Sequence, residues 1–508
     1  MGRADPFAYY SVILRIIIYG VIPTFGVLQY FRARRALHVF QLEGYKRRRF
    51  LEWCRANRDR RLFLRSAPAK KPLVMTGRAW RILITAVVLS VLGVLVPSGV
   101  VHISWGTPWD LLTTAIMFAL LFFGLPRVLV LADLVMSPVQ GAINDHYLRK
   151  ARSRLKEVGP LVIGVTGSFG KTSTKFAIQG LVGRRDEVLA TPGSFNTPLG
   201  VCRTINEQLT HAHRYFVVEM GAYGVGEIEE LCRFVEQKVG VLTAIGPAHL
   251  ERFGSMDAIR RGKYEIVATL PPDGIAVMNT DDKEVRQLAD KTAGPKLIRY
   301  GLDPEGRPDV TARDVQVTSQ GTTMKLVTEL GEYAVTTKLL GRHALGHILA
   351  GVAVATAIGR PLEELGPRIA SLEPVEHRLQ VIQGAGGVTV IDDAYNSNPE
   401  GAAAALEVLE QMPARKRVVV TPGIVELGPL QEEENARFGR HAASVADTVI
   451  FVARLNRSAL VSGAGSAGEG AEVIVVDTLG EATERLKGIL QPGDVVLFEN
   501  DLPDQYEG

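Results

Sequence analysis

Cysteine is scarce in this chain. Its 508 residues include three, Cys54, Cys202 and Cys232, and none stands at disulfide-framework or metal-ligand spacing. A disulfide-stapled scaffold and a cysteine-ligated metal centre are thereby excluded, and free thiols in a reducing compartment are expected. No internal repeat is present. No small-residue cleavage site follows the first apolar run, which carries Arg15 and leads straight into basic sequence, so a cleavable signal is not expected. Acidic residues are few at the front. Residues 1–155 hold 23 Lys and Arg against 7 Asp and Glu, a net +16, whereas the remaining 353 hold 35 against 47, a net −12.

A basic front half points to nucleic acid or to a membrane surface. Long apolar runs beside it favour the membrane, and the acidic body argues against a nucleic-acid partner. Phe7–Phe31 is long enough to cross a bilayer, although Arg15 makes an interfacial helix the alternative. Ile82–Val101 is an unbroken apolar run, and Leu111–Met136 is a third, broken by Pro126-Arg127 and carrying Asp133. Between the first two lies 32–71, with 14 Lys and Arg against 3 Asp and Glu; 102–110 has no Lys or Arg, and Arg149, Lys150, Arg152 and Arg154 follow the third. Positive-inside reasoning predicts three crossings, the N-terminus outside, and a multi-pass cell-membrane protein whose catalytic domains lie in the cytoplasm. The basic loop suits anionic membrane lipids, at about 1 kcal/mol per basic residue near the surface. A topology signal alone explains it equally well.

Chemistry concentrates in Leu161-Val-Ile-Gly-Val-Thr-Gly-Ser-Phe-Gly-Lys-Thr-Ser-Thr174. The apolar start reads as a buried strand, the glycines as a turn, and Lys171 onward as a helix. Backbone N–H groups and a helix N-terminus then converge where a phosphate can sit. Gly167, Ser168, Phe169 and Gly170 form the cradle, with Ser173 just inside the helix. Lys171 reaches terminal phosphates and the Thr172 hydroxyl can ligate Mg²⁺. The full G-x-x-x-x-G-K-[ST] pattern is absent, because its first glycine would fall on Val165. A glycine-rich turn before an ordinary helix is the competing reading.

Beyond this loop, strands and helices alternate. Strands are predicted at 215–220, 239–245, 274–278 and 296–300, an antiparallel excursion at 310–340, and a helix at 343–359. After Pro374 the alternation resumes, with strands at 388–391, 417–420, 448–452, 472–476 and 494–498, and helices from near Pro399, Leu430 and Gly480. Ser462–Gly470 reads as a glycine- and serine-rich loop. The expected fold is α/β: a P-loop central domain with a mostly parallel sheet (156–373), and a second, Rossmann-like α/β domain (374–508). A membrane region (1–155) with about three transmembrane helices precedes them.

The motifs T-G-S-F-G-K-T-S, V-V-E-M-G, A-I-G-P-A-H-L-E-R-F-G, K-Y-E-I, G-R-H, E-H-R-L-Q and D-D-A-Y-N-S-N-P stand in this order. In that order they resemble the Mur ligases, over roughly residues 155–500, and most closely the members that add D-alanyl-D-alanine. The resemblance implies an ATP- and Mg²⁺-dependent peptide ligase of cell-wall peptidoglycan precursor synthesis. A carboxylate acceptor, UDP-linked or lipid-linked muramoyl peptide, is phosphorylated to an acyl phosphate that an amino-acid or peptide amine attacks. It further implies that Lys171, Glu219, His249 and Lys263 are catalytic. Thr172, Glu219, His249 and a carbamylated Lys263 would hold metal, while Arg378, Asp392 and Asn396 would approach the nucleotide from the C-terminal domain. From the residues alone, Glu219 at a strand end reads as a ligand-facing carboxylate or a helix cap, and Lys263 as a solvated lysine. The Asp392-Asp393 pair reads equally as a turn cap.

Three departures bear on substrate choice. Membrane and basic sequence replaces the soluble UDP-binding domain, Ala344 and His347 stand in place of an asparagine pair, and Glu499-Asn500-Asp501 replaces lysine-glycine-serine. Acids at 499–501 would repel a dipeptide carboxylate. A ligase for a membrane-linked or polymeric acceptor, such as a poly-glutamate capsule chain, and a membrane P-loop ATPase without ligase activity are the rival readings.

Overall fold

The computed structural model describes residues 24, 26–57, 62–63, 72–106, 109–318, 321–339, 341–395, 397–452, 455–468 and 470–501. They form two units, Met1–His146 and Tyr147–Gly508.

In the first unit a helix over 26–42 is followed by helices Arg47–Ala56 and Gly77–Trp105, and by helix Trp109–Val158, whose residues 147–158 belong to the second unit. The last two are long and apolar enough to cross a membrane by length and composition, and they contain the expected runs 82–101 and 111–136. Most of the expected first span, 7–31, lies outside the described residues. The interruption of the apolar run at Pro126-Arg127 does not end the helix, which runs for 50 residues with Pro126 and Pro138 inside it. A proline removes one N–H donor and bends a helix, but the regular turns on either side carry it onward.

Nor is 32–71 a plain solvated loop. Arg32 is 1% exposed; it donates to the carbonyls of Leu62 (2.7 Å) and Phe122 (2.9 Å) and to Gln29 Oε1 (2.7 Å), and lies 3.7 Å over the Phe122 ring. Arg47 and Arg78 both meet the buried Asp133, at 2.7 and 2.9 Å. Leu37, Phe40, Phe50, Leu83 and Leu129 pack in the same core.

The second unit opens with a six-stranded sheet. Its strands are β1 (Leu161–Thr166), β2 (Val188–Ala190), β3 (Tyr215–Glu219), β4 (Val239–Leu242), β5 (Ile275–Asn279) and β6 (Lys296–Tyr300). All pairings are parallel, in the order β2-β3-β1-β4-β5-β6. Near-continuous Val, Ile and Phe runs suit strands covered on both faces, and hydrophobic clusters cover both. Three-residue β2 is too short to show a period and was not expected. Chain connections diverge on either side of β1, so the β1/β4 carboxyl end is a topological switch point, where such sheets take ligands. The expected excursion forms β7 (Thr311–Thr318), β8 (Gly321–Thr328) and β9 (Gly331–Thr337), all antiparallel.

A second sheet contains β10 (Gln380–Gln383), β11 (Thr389–Asp393), β12 (Arg417–Thr421), β13 (Thr448–Val452), β14 (Glu472–Val476) and β15 (Val495–Glu499). Its order is β10-β11-β15-β12-β13-β14, and only β10 runs antiparallel. Edge strand β10 is half exposed and polar, which hid it in the sequence. One further expectation fails here: residues 462–465 are not loop but the end of helix Arg457–Gly465. Small residues there let two helices touch backbone to backbone. A Cβ on Gly463 would stand 2.0 Å from the Ala436 carbonyl oxygen.

Candidate active site

The loop after β1 is shaped by contact with the loop after β4. A Cβ on Gly167 would lie 2.0 Å from Thr243 Oγ1, and Gly170 takes a left-handed φ of 77° to open helix Lys171–Val182. The Ser168 N–H donates to the Ala244 carbonyl (2.8 Å), its hydroxyl to that of Gly246 (3.0 Å), and Thr243 Oγ1 to that of Phe169 (2.5 Å). These bonds fix the cradle before any ligand arrives. Lys171 folds back over it, donating to the carbonyls of Gly167 (2.7 Å) and Ser168 (3.2 Å). Burial pulls its ammonium down to about 8; Glu219 opposes that shift and Arg378 adds to it.

Glu219 ends β3, 1% exposed, and both its oxygens are engaged. One accepts from Thr172 Oγ1 (2.9 Å) and pairs with the buried ammonium of Lys175 (3.2 Å); the other accepts from Asn196 (3.2 Å). Lys175, which also donates to the Gly193 carbonyl, was missed. It stands one helical turn beyond Lys171, so the i, i+4 spacing was a signal in plain sight. A hydroxyl and a carboxylate oxygen side by side are the hard donors that Mg²⁺ prefers, so Thr172 and Glu219 fit that ion. Among the described residues no three His, Cys, Asp or Glu side chains form a ready-made cage.

His249 stands at the N-terminus of the short helix Leu250–Phe253 with φ 60°. Its ring meets Tyr223 edge-on at 4.8 Å, and Nδ1 bonds to Glu426. Burial lowers its proton affinity, Glu426 raises it, and Lys171 and Lys263 lower it further. Lys263, on helix Met256–Ala268, is not the solvated lysine that its local sequence describes: it is 2% exposed. The Ala222 carbonyl is 3.5 Å from its Nζ, and the Phe253 ring centre is 5.5 Å away. Desolvation, then the charge of Lys171, drives its ammonium well below the ordinary value. Lys171 thus acts on both His249 and Lys263, and Lys263 on His249.

The C-terminal portion adds Arg378, whose charge acts on both Lys171 and Lys175. Its guanidinium lies 4.5 Å over the ring of Tyr395, whose hydroxyl meets Ser194 of the central portion. Asp392 bonds to His377 (2.7 Å), and the charge of Arg378 acts on Asp393. Burial raises the Asp393 carboxyl to about 6, with Arg378 opposing. Asn396 lies outside the described residues. Glu499 departs from expectation. It is fully buried, accepts a bond from Ser397, and is pushed well above the carboxylate range by burial and by Asp393. It is an inner acid bonded to Ser397, not a surface charge facing a substrate.

All three cysteines are free and buried. His347, in place of a family asparagine, holds Thr174 Oγ1 at 2.9 Å through Nδ1.

A strand–glycine loop–helix with lysine above it, a carboxylate at the neighbouring strand end and a ring of basic groups define a phosphoryl-handling P-loop enzyme. Residues 165–355 match the Mur ligase middle domain, and 377–499 match the family's C-terminal "Mur ligase, glutamate ligase domain". The chain belongs to the Mur ligase family and is an ATP-dependent ligase. It is 33% identical over 315 residues to the UDP-N-acetylmuramoyl-tripeptide–D-alanyl-D-alanine ligase of Escherichia coli, covering 62% of this chain and 69% of that one. Against the same-named ligase of Mycobacterium tuberculosis it is 34% identical over 362 residues, covering 67% and 70%. Among solved structures, MurF of Acinetobacter baumannii superposes with a TM-score of 0.64 at 30% identity, over 72% of this chain and 78% of that one. The MurF ligase of Thermotoga maritima in complex with ADP gives 0.64 at 28% identity, over 72% and 82%.

Proposed function

We propose that this chain is a membrane-anchored, cytoplasm-facing ligase of the D-alanyl-D-alanine-adding type, working in peptidoglycan precursor synthesis. In this reading it comprises a membrane region (1–155), a central domain (156–373) and a C-terminal domain (374–508). The observation that carries it is the crowding of Lys171, Lys263, His249 and Arg378 around the loop after β1, with Glu219 bonded to Thr172. Lys171 and Arg378, two basic groups acting on one desolvated crevice, suit the negative charge of a transferred phosphoryl group.

In this reading Gly167, Ser168, Phe169, Gly170 and Ser173 cradle the ATP phosphates, and Lys171 and Arg378 neutralise the charge that develops. Thr172 and Glu219 would hold Mg²⁺, which screens phosphate charge when bound. Lys263, buried beside Ala222 and Phe253, would add CO₂ through its neutral amine with release of a proton, and the carbamate would join His249 in holding a second ion. Asp392 and Asn396 complete the nucleotide side. The acceptor carboxylate attacks the γ-phosphate, and the D-alanyl-D-alanine amine then displaces phosphate from the acyl carbon. Enclosure by the C-terminal domain keeps water from the acyl phosphate.

A lipid-linked acceptor is the second reading, favoured by the two long apolar helices that precede the matched region. A tethered site meets such an acceptor at raised effective concentration. The test supplies the full-length chain with ATP, Mg²⁺ and D-alanyl-D-alanine, plus either soluble UDP-muramoyl tripeptide or its membrane-linked counterpart, and detects product by mass. Amide formation on the soluble acceptor supports the first reading, and on the lipid-linked one alone the second. ADP release with no amide on any acceptor means an ATPase. Reporter fusions after Pro72 and Ala151 are expected to read cytoplasmic and one at Gly106 external; a cytoplasmic reading at Gly106 removes the three-span topology.

A further inference from the structure

Glu426 belongs to none of the motifs above, yet it holds the most exacting contact between the two α/β portions of the second unit. One carboxylate oxygen bonds to His249 Nδ1 and the other to Arg252. Arg252 lies 4.2 Å over Tyr223, and Tyr223 meets His249 edge-on, so three central residues and one C-terminal residue close a ring. Both ends of the contact take unusual backbone shapes for non-glycine residues, φ 65° at Glu426 and φ 60° at His249.

The loop that delivers Glu426 is wired from behind by three buried asparagines. Asn435 accepts from the Ile424 N–H (2.9 Å) and donates to the carbonyls of Ile424 (2.8 Å) and Gln431 (2.7 Å). Asn456 donates to the Pro422 and Ile424 carbonyls (3.2 and 3.1 Å), and Asn500 to that of Gly423 (2.6 Å). Surface ion pairs need no such scaffold. A loop held this firmly places one side chain to fractions of an ångström, which positioning demands.

We propose that Glu426 is a positioning residue: by engaging Nδ1 it fixes the His249 ring with Nε2 turned to the reaction, and it does so only while the two α/β portions are together. Domain closure and a competent His249 thus become one event. The role of His249 rests on the ligase reading above; the contact itself does not. A carboxylate that orients a working imidazole is worth about 10–100-fold in activity.

The test compares full-length wild type with Glu426→Gln and Arg252→Met, using the acceptor and amine that wild type joins. The amide in Glu426→Gln keeps the size and one acceptor oxygen but cannot serve both partners. The expected result for Glu426→Gln is kcat lowered about 10–100-fold with the KM for ATP changed less than about twofold, and a much smaller loss for Arg252→Met. Hydrogen exchange at 248–254, read with a non-hydrolysable ATP analogue and Mg²⁺, should be slow in wild type and fast in Glu426→Gln. A wild-type kcat in Glu426→Gln, or equal losses in both variants, overturns the proposal by reducing the contact to an ordinary ion pair. If wild type forms no amide, the ligase reading fails instead, and the exchange comparison still decides the contact: unchanged exchange in Glu426→Gln overturns it.

Discussion

Both units of this molecule bury basic side chains, but they treat them differently. Among the described residues of the first unit, the buried Arg32 and Asp133 both have direct polar partners. Arg32 is met by two carbonyls, an amide oxygen and a ring, and Asp133 stands between Arg47 and Arg78. Around the loop after β1, Lys171 and Lys263 donate to backbone carbonyls, with no direct carboxylate contact among the described residues. Lys171 lowers the proton affinity of Lys263, both lower that of His249, and Glu219 is already committed to Thr172, Lys175 and Asn196. Matched buried charge holds a fold together. Surplus buried charge is tolerated where a ligand of opposite sign completes it.

That contrast can be broken at either end. Lys171→Ala should lower ATP turnover by about 10²–10³-fold while leaving the melting temperature unchanged or raised, since a desolvated cation is removed. Near-normal turnover in this variant would refute the phosphate assignment. Lys263→Ala should lose about 10²-fold and regain part of it with a short carboxylic acid that fills the vacated space. Intact-mass analysis of active, bicarbonate-equilibrated enzyme should find Lys263 heavier by one CO₂, and an unmodified lysine there would end the carbamate reading.

The first unit should respond in the opposite sense. Asp133→Asn should cost about 1–3 kcal/mol of stability, because two guanidinium groups lose their counter-charge, and leave ATP turnover essentially unchanged. Loss of turnover with no loss of stability would show that the two kinds of burial are not distinct.

The smallest effect concerns Asp393 and Glu499. Burial raises Asp393 from 3.8 to about 6, so the folded chain binds more protons than the unfolded chain between those values. The contribution to stability is therefore full below that window and is lost as pH rises through about 6. Asp393→Asn should flatten the fall in melting temperature between about pH 4 and 6; an unaltered slope would place the titration elsewhere.

Much of this was legible in the chain, for reasons particular residues make plain. Strands β1 and β3 are short, mostly β-branched or aromatic runs ended by Gly167 and Glu219, and such runs identify themselves. What escaped was short, polar or non-local. Strand β2 has three residues, β10 is a polar edge, and Pro126 did not end the helix that contains it. Within the site, the phosphate loop could be read because its parts are consecutive. Glu426 could not, since its partners His249 and Arg252 lie more than 170 positions away and nothing local marks it. Whether the Asp392-Asp393 pair caps a turn or faces a ligand turned on what packs against it, and Glu499 on whether its strand end is open or buried. Both depend on tertiary packing.

One labelling measurement tests the acyl-phosphate route most directly. UDP-muramoyl tripeptide, or the lipid-linked counterpart if that is the acceptor, is prepared with ¹⁸O in the carboxylate to be activated. It is then incubated with the full-length chain, ATP, Mg²⁺ and D-alanyl-D-alanine. An acyl phosphate transfers one carboxylate oxygen to phosphate, so each amide formed should release one singly labelled phosphate. Unlabelled phosphate, released whether or not an amide forms, would contradict that route.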